Sequence, residues 1–370
     1  MVTKIGIVTG GGDCPGLNAV IRAVVKAAAL HGWESLGFLG GYEGMLNPVH
    51  SLPLDYHQMG SLLYRGGTIL GTSNKGRFSA KTGLGKVRQV PKKILHEARR
   101  NFEALELNAL VAIGGDGSLT IAQQLYENGI PVVGVPKTID NDLDATLMTF
   151  GFETAVACAV DALDRLHTTA ESHNRVMVLE VMGRYAGWIA LYAGLAGGAD
   201  IILIPEMEFN YDSIVSKVRQ REQDGKLFTI AIVAEGARRR GSRFMTQAQA
   251  DQNREARLGG IGPVVAKEIE KRTGKETRSV ILGHLQRGGA PTPWDRQLCT
   301  RFGVSAVEAI ANGQFGSMVA LTPLGIEPVP LVEAIEKIRT VPVDGEMVRT
   351  ARALGISFGN EYLQDKNKLF

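Results

Sequence analysis

Three segments of this 370-residue chain collect residue types suited to handling phosphate. In Pro136-Lys137-Thr138-Ile139-Asp140-Asn141-Asp142, a hydroxyl and two carboxylates recur at every second position. If that stretch stays extended, Thr138, Asp140 and Asp142 project to one side. They could then bind an alcohol and accept its proton while a phosphoryl group is transferred. An Asx-rich turn that merely ends a strand would use the same residues. Placement at a strand's carboxyl end, where open α/β sheets bind ligands, favours chemistry. In Ile113-Gly114-Gly115-Asp116-Gly117-Ser118, small residues flank one carboxylate, so Asp116 suits a phosphate-bound Mg2+; a plain helix cap is the alternative. The run Thr9-Gly10-Gly11-Gly12-Asp13-Cys14-Pro15-Gly16-Leu17-Asn18 matches neither G-x-x-x-x-G-K-[ST] nor G-x-G-x-x-G. Its bare backbone N–H groups can still approach phosphate oxygens at a helix N-terminus, or it is a tight turn with no ligand. Cys14 is read as a packing residue.

A fourth group is basic. Arg175 precedes one apolar run and Met182-Gly183-Arg184 follows it; Arg278 precedes another and His284-Leu285-Gln286-Arg287-Gly288-Gly289 follows that one. Each arginine alone fits a surface role. Several at strand ends beside glycines suit a phosphorylated substrate, because guanidinium groups bind phosphate bidentately and stay charged.

The elements that must position these residues are short runs rich in Val and Ile: 4–9, 109–113, 131–135, 176–181, 200–204, 228–233, 279–282 and 318–322. They are near-continuous, not alternating, as in parallel strands covered on both faces. Helical patterns separate them, which predicts a doubly wound α/β sheet. After the first glycine turn, Ile21, Val24, Val25 and Ala28 fall at helical spacing, while Asn18, Arg22 and Lys26 form a polar row facing solvent or a ligand. Residues 72–93 are basic, glycine-containing and aperiodic, so a flexible connection or an anion-closing loop is expected. Residues 238–262 open on three arginines and hold a polar, helix-favouring run, expected as a solvated excursion.

Length fits two domains. Lys plus Arg (41) against Asp plus Glu (38) leaves +3, too balanced for a nucleic-acid or membrane-surface binder. Three cysteines, Cys14, Cys158 and Cys299, lack disulfide-framework or zinc spacing and suggest a reducing compartment. No signal-peptide pattern or membrane-length apolar run is seen, so a cytoplasmic location is expected. Glycine, 45 residues against a usual ~7%, is concentrated after strand-like runs, as in phosphate-binding turns.

Taken in order, GGGDCPGLNAVIR, RGGTILG, IGGDGS, PKTIDND, VMGRYAG, AEG and TRSVILGHLQRGG resemble the motif series of the 6-phosphofructokinases, from Lys4 to about Gly316. The resemblance implies two Rossmann-like α/β domains with mainly parallel sheets and an active site in the cleft between them. Residues 1–150 with about 286–335 would bind the phosphoryl donor, and about 151–285 with 336–370 the sugar phosphate. The implied reaction is Mg2+-dependent transfer from ATP to the 1-hydroxyl of fructose 6-phosphate, a glycolytic step giving fructose 1,6-bisphosphate. By resemblance, Gly11, Gly12, Gly115, Asp116, Gly117, Ser118 and Lys137 hold the donor, with Asp116 on the metal. Asp140 is the base, supported by Thr138, Asp142 and Arg184. Thr138, Asp140, Met182, Gly183, Arg184, Glu235, His284 and Arg287 hold the sugar phosphate. Arg175 and Arg278 resemble arginines supplied across a subunit interface, which implies a homodimer or homotetramer.

The chain departs from the family pattern in two places. Asn74 stands where many bacterial members have an arginine on the transferring phosphoryl group, with Lys75 or Arg77 as substitutes. Of the basic effector pocket of regulated members, Arg22 and Lys26 remain while Tyr56 and His167 replace arginines, so allosteric control is not implied. The donor signal is mixed: Gly117 resembles ATP users and Lys137 the pyrophosphate-using branch, with ATP expected and pyrophosphate the alternative. More distant alternatives are an NAD or lipid-type kinase, which would share GGDGS, and a non-catalytic sugar-phosphate sensor.

Overall fold

A computed structural model describes residues 3–73, 76–78, 89–242, 246–248 and 257–361. The described residues form two compact units. One comprises the chain up to Thr154 together with Arg287–Ile338; the other runs from Ala155 to Gln286 and resumes at Arg339.

The first unit is built on a seven-stranded sheet in the order β13-β12-β5-β4-β1-β2-β3. Its strands are β1 (Lys4–Thr9), β2 (Glu34–Phe38), β3 (Ser51–Pro53), β4 (Ala109–Gly114), β5 (Val132–Pro136), β12 (Ser317–Thr322) and β13 (Gly325–Pro330). β1 pairs in parallel with β2 and β4, β4 with β5, and β5 with β12; only the edge strands β3 and β13 are antiparallel. Helices α1 (Leu17–Leu30), α2 (Lys92–Ala104), α3 (Asp116–Glu127) and α8 (Pro293–Ala311) belong to this unit, and α4 (Phe152–His173) begins in it. Phe38, Phe102, Leu110, Leu125 and Val132 lie in its core.

The second unit carries a four-stranded, fully parallel sheet, β11-β6-β8-β7. These are β6 (Val176–Val181), β7 (Ile201–Leu203), β8 (Thr229–Ala234) and β11 (Thr277–Ile281), with helices α5 (Trp188–Ala196), α6 (Tyr211–Gln223) and α7 (Ile261–Thr273). Val178, Phe209, Ile214, Val233 and Val265 form its core.

Every strand anticipated from an apolar run is present, within a residue or two at its ends. Three others in these two sheets carry weaker signals. β2 contains Glu, Ser and Gly, poor strand formers. β3 has only three residues, and β13 holds two prolines, tolerable because it is an edge strand. Coverage on both faces fails at β11, an edge strand on which Arg278, Val280 and Ile281 are exposed. Of the 238–262 stretch, residues 243–245 and 249–256, which hold most of the helix-favouring run, lie outside the described residues, while β9 (Thr246–Ala248) and β10 (Arg257–Leu258) form an antiparallel pair. Of the 72–93 stretch, 74–75 and 79–88 lie outside the described residues, and Lys92 and Lys93 open α2. Among the described residues, no helix is long and apolar enough to cross a membrane.

Candidate active site

In the first sheet the chain moves to one side from β1 to β2, while β4 lies on β1's other flank. The two glycine-rich turns therefore leave neighbouring strand ends at the topological switch point, where open α/β sheets form their ligand crevice. Thr9 pairs with Ile113, and Gly10 N–H donates to the Ile113 carbonyl at 2.9 Å. Gly11 has φ +80°, a left-handed conformation that glycine adopts without steric cost. Its carbonyl accepts from Thr72 Oγ1 at 2.6 Å. Ser118 fills the space between the turns: a Cβ on Gly10 would stand 2.6 Å from Ser118 Oγ. Tyr42 OH donates to the Ser118 carbonyl at 2.8 Å.

Asp116 is the first residue of α3, and Gly115, not Asp116, occupies the N-cap without a side-chain cap bond. The helix-capping alternative for Asp116 is therefore not what the structure shows. Around Gly117, an added Cβ would meet nothing within 4 Å.

Beyond β5 the chain does not stay extended as the alternation suggested. Lys137 makes a single bridge to Phe150, the chain turns at Ile139 and Asp140, and Asn141 takes φ +52°. The carboxylates are brought together by this turn and not by strand alternation. Asp140 N–H donates to Thr138 Oγ1 at 3.1 Å. The Asp142 carboxyl is pushed up to about 7, first by burial and then by the negative charges of Asp140 and Asp116, against the Thr138 hydrogen bond that lowers it. Lys137, almost fully buried, donates from Nζ to the Gly12 carbonyl at 2.6 Å. Burial lowers its pKa, and Asp140 and Asp142 act in the opposite sense. Arg287 donates to the Asp13 carbonyl at 3.1 Å, so it sits at the first glycine turn, in the same unit. Cys14 is fully buried and its thiol is pushed up to about 12 by that burial. It is chemically inert packing.

In the second unit, β11, β6 and β8 are parallel neighbours, so the segments that follow them emerge at one end of the sheet. Met182, Gly183, Arg184, Glu235 and His284 all lie there. Glu235 N–H donates to the Val181 carbonyl at 2.8 Å, and Gly236 N–H to Gly183 at 3.1 Å. Gln286, which sequence reasoning passed over although HLQRGG contains it, accepts from Met182 N–H at 3.2 Å and donates to the Gly283 carbonyl at 3.1 Å. It ties two of these segments together. Glu206, without any sequence signal, accepts the Gly187 N–H at 3.0 Å at the start of α5.

Arg175 and Arg278 converge on one carboxylate, Glu276, at 2.7 and 2.5 Å. Arg77 is ion-paired to Glu43 at 3.1 Å and Glu97 at 3.8 Å. Asn74 and Lys75 lie outside the described residues. On α1 the polar row is not simply solvated. Asn18 is buried; its Nδ2 donates to the Arg65 and Gly66 carbonyls, both at 3.1 Å, and its Oδ1 accepts from Ile69 N–H at 2.9 Å. It pins the RGGTILG segment. Lys26 Nζ stands 3.9 Å from the centre of the Tyr56 ring, and His167 Nε2 is 2.8 Å from the Gly197 carbonyl.

Residues 4–310 match the family described as Phosphofructokinase. The chain belongs to the phosphofructokinase family. It is 53% identical over 358 residues to an ATP-dependent 6-phosphofructokinase of Chloroflexus aurantiacus, covering 97% of this chain and 98% of the relative. A pyrophosphate–fructose 6-phosphate 1-phosphotransferase of Amycolatopsis mediterranei is 51% identical over 343 residues, covering 92% and 97%. Among solved structures, the phosphofructokinase of Pichia pastoris in its T-state superposes with a TM-score of 0.78 at 32% identity over 91% of this chain. This chain spans only 36% of that longer protein. The family's fold of mainly parallel α/β sheets is thus shared across very different chain lengths.

Proposed function

We propose that this phosphotransferase is an ATP-dependent 6-phosphofructokinase in which Asp140 accepts the proton of the fructose 6-phosphate 1-hydroxyl as the γ-phosphoryl group moves to that oxygen. The observation that carries the reading is the convergence of Thr138, Asp140, Asp142 and Asp116 beside two glycine-rich turns at the switch point between β1 and β4. Three partly buried carboxylates that repel one another are costly to hold together, and the arrangement is understandable where a metal and an alcohol are to be held. Gly11, Gly12, Gly115, Asp116, Gly117 and Ser118 would cradle the donor through backbone N–H groups and the start of α3. Thr138 fixes the turn that presents Asp140, and Asp142 supports it. Met182, Gly183, Arg184, Glu235 and His284 would hold the sugar phosphate, Arg184 by charge. Arg287, at the first glycine turn, would neutralise phosphate there.

No group of three or more His, Cys, Asp or Glu side chains among the described residues forms a dedicated metal cage. That fits Mg2+, which usually binds through one or two carboxylates together with substrate phosphates. Asp116 would hold it, and when bound it supplies charge neutralisation to the phosphates.

The relatives' names do not choose the donor, since ATP and pyrophosphate users match at 53% and 51% identity. Open space at Gly117 supports ATP, whose α-phosphate and nucleoside need room beyond the two phosphates being cleaved. The buried Lys137 beside Gly12 favours pyrophosphate as the second reading. An oligomer with shared sites is supported by the exposed edge strand β11, with Val280 and Ile281 beside Arg278. Turnover of fructose 6-phosphate with Mg2+ and either ATP or pyrophosphate tests the reading: fructose 1,6-bisphosphate should form, faster from ATP. Absence of turnover with both donors overturns it.

A further inference from the structure

We propose that Asn141 and Thr149 form a positioning clamp that sets the geometry of the Thr138–Asp142 turn and so the rate of phosphoryl transfer. The inference rests on the reading of Asp140 as the base and adds two residues that touch no reacting atom. Asn141 stands between Asp140 and Asp142, is 1% exposed and has φ +52°, a region that Asn tolerates better than most residues. Its Oδ1 accepts from Thr149 N–H at 3.0 Å and lies 3.4 Å from Thr149 Oγ1. Thr149 is fully buried, and its Oγ1 donates to the Thr138 carbonyl at 2.7 Å.

The segment from Asn141 to Thr149 is thus a loop whose two ends are tied together, with one tie reaching back to Thr138. The bridge between Lys137 and Phe150 and the bond from Phe150 N–H to the Pro136 carbonyl continue the same seam. Thr138 Oγ1 in turn accepts from Asp140 N–H at 3.1 Å. A continuous chain of bonds runs from Asn141 through Thr149 and Thr138 to Asp140. Displacing a catalytic group by about 1 Å from outside the reacting atoms can cost ~10²-fold in rate. Loss of this chain should act on kcat, because the turn would still present the same groups with the wrong aim.

The test compares Thr149→Val, Thr149→Ser, Asn141→Gly and the double variant Thr149→Val/Asn141→Gly, with Asp140→Asn as reference. Glycine is chosen at 141 because it keeps the left-handed backbone without strain. Steady-state kcat and KM are measured, with the folded fraction checked by thermal melting. Thr149→Val should lower kcat ~10-fold and Asn141→Gly ~10²-fold, each with KM for fructose 6-phosphate and ATP within ~3-fold of wild type. Thr149→Ser, which keeps the hydroxyl, should stay within ~3-fold. The double variant should be no worse than Asn141→Gly by more than ~3-fold, since members of one unit are not additive. A wild-type kcat in folded Thr149→Val and Asn141→Gly overturns the clamp, as does a serine variant as poor as valine or a fully multiplicative double variant. If Asp140→Asn alone keeps kcat, it is the base assignment that falls, and the clamp with it.

Discussion

Replacing Gly117 by Asp separates donor recognition from folding. Gly117 is the second residue of α3, and its surroundings leave an added Cβ without a neighbour within 4 Å. A carboxylate in the first turn interacts favourably with the helix dipole by ~0.3–1 kcal/mol. Losing a glycine also removes unfolded-state freedom. Stability should therefore be unchanged or slightly higher. The donor meets a different situation: a new carboxylate about 5 Å from an α-phosphate repels it by about 3 kcal/mol at an effective dielectric of ~20. That corresponds to a loss of ~10² in kcat/KM, before any steric exclusion of the nucleoside. Pyrophosphate has no third phosphate to repel, so its use should change less than ~10-fold. The assay is kcat/KM with Mg-ATP and Mg-pyrophosphate on both proteins, alongside their melting temperatures. A folded Gly117→Asp protein that uses ATP within ~3-fold of wild type refutes the argument that this open space admits the nucleotide.

Asp140→Asn should lower kcat by ~10²–10⁴-fold and leave KM for fructose 6-phosphate within a few-fold, measured by initial rates; a near-wild-type kcat removes Asp140 as base. If Arg278 serves a neighbouring subunit's site, mixing Arg278→Ala with Asp140→Asn protein should restore some activity through hybrid interfaces; no recovery after confirmed subunit exchange counts against sharing. Asp142 has a folded pKa raised to about 7, so its contribution to stability is full below the ordinary carboxylate range and is lost as pH rises through about 7. Without divalent cation, Asp142→Asn should melt higher than wild type at pH 8 and not at pH 4. The gain is at most ~4 kcal/mol, and less because the side chain remains partly accessible. Equal melting temperatures at pH 8 would show that the charge is not costly there.

The parallel core was legible because its strands are runs of Val and Ile long enough to be strands and too apolar to be loops. β2 and β13 were not, since a Glu-Ser start and two prolines are tolerated only through pairing with neighbours distant in sequence. At the site, the residue types around Thr138, Asp140 and Asp142 signalled chemistry, but the geometry was misjudged. Period-two alternation presumes an extended chain, and the left-handed Asn141 with its bond to Thr149 depends on a loop closing back on itself. Arg287 also has a bond that its motif does not signal, its donation to the Asp13 carbonyl at the first glycine turn. Tyr42 and Glu206 had no local signal at all, because their hydrogen bonds to Ser118 and Gly187 join segments far apart in sequence.

The proposed reaction is transfer of a phosphoryl group from ATP to the oxygen on carbon 1 of fructose 6-phosphate, with Asp140 taking the proton. It is tested most directly by incubating the protein and its Asp140→Asn variant with [1-13C]fructose 6-phosphate, Mg2+ and ATP, and following 13C and 31P resonances together. One new phosphate ester coupled to carbon 1 is expected for each ADP formed, and almost none with the variant. Phosphate at another carbon, ADP released without a new ester, or an equally active variant would contradict it.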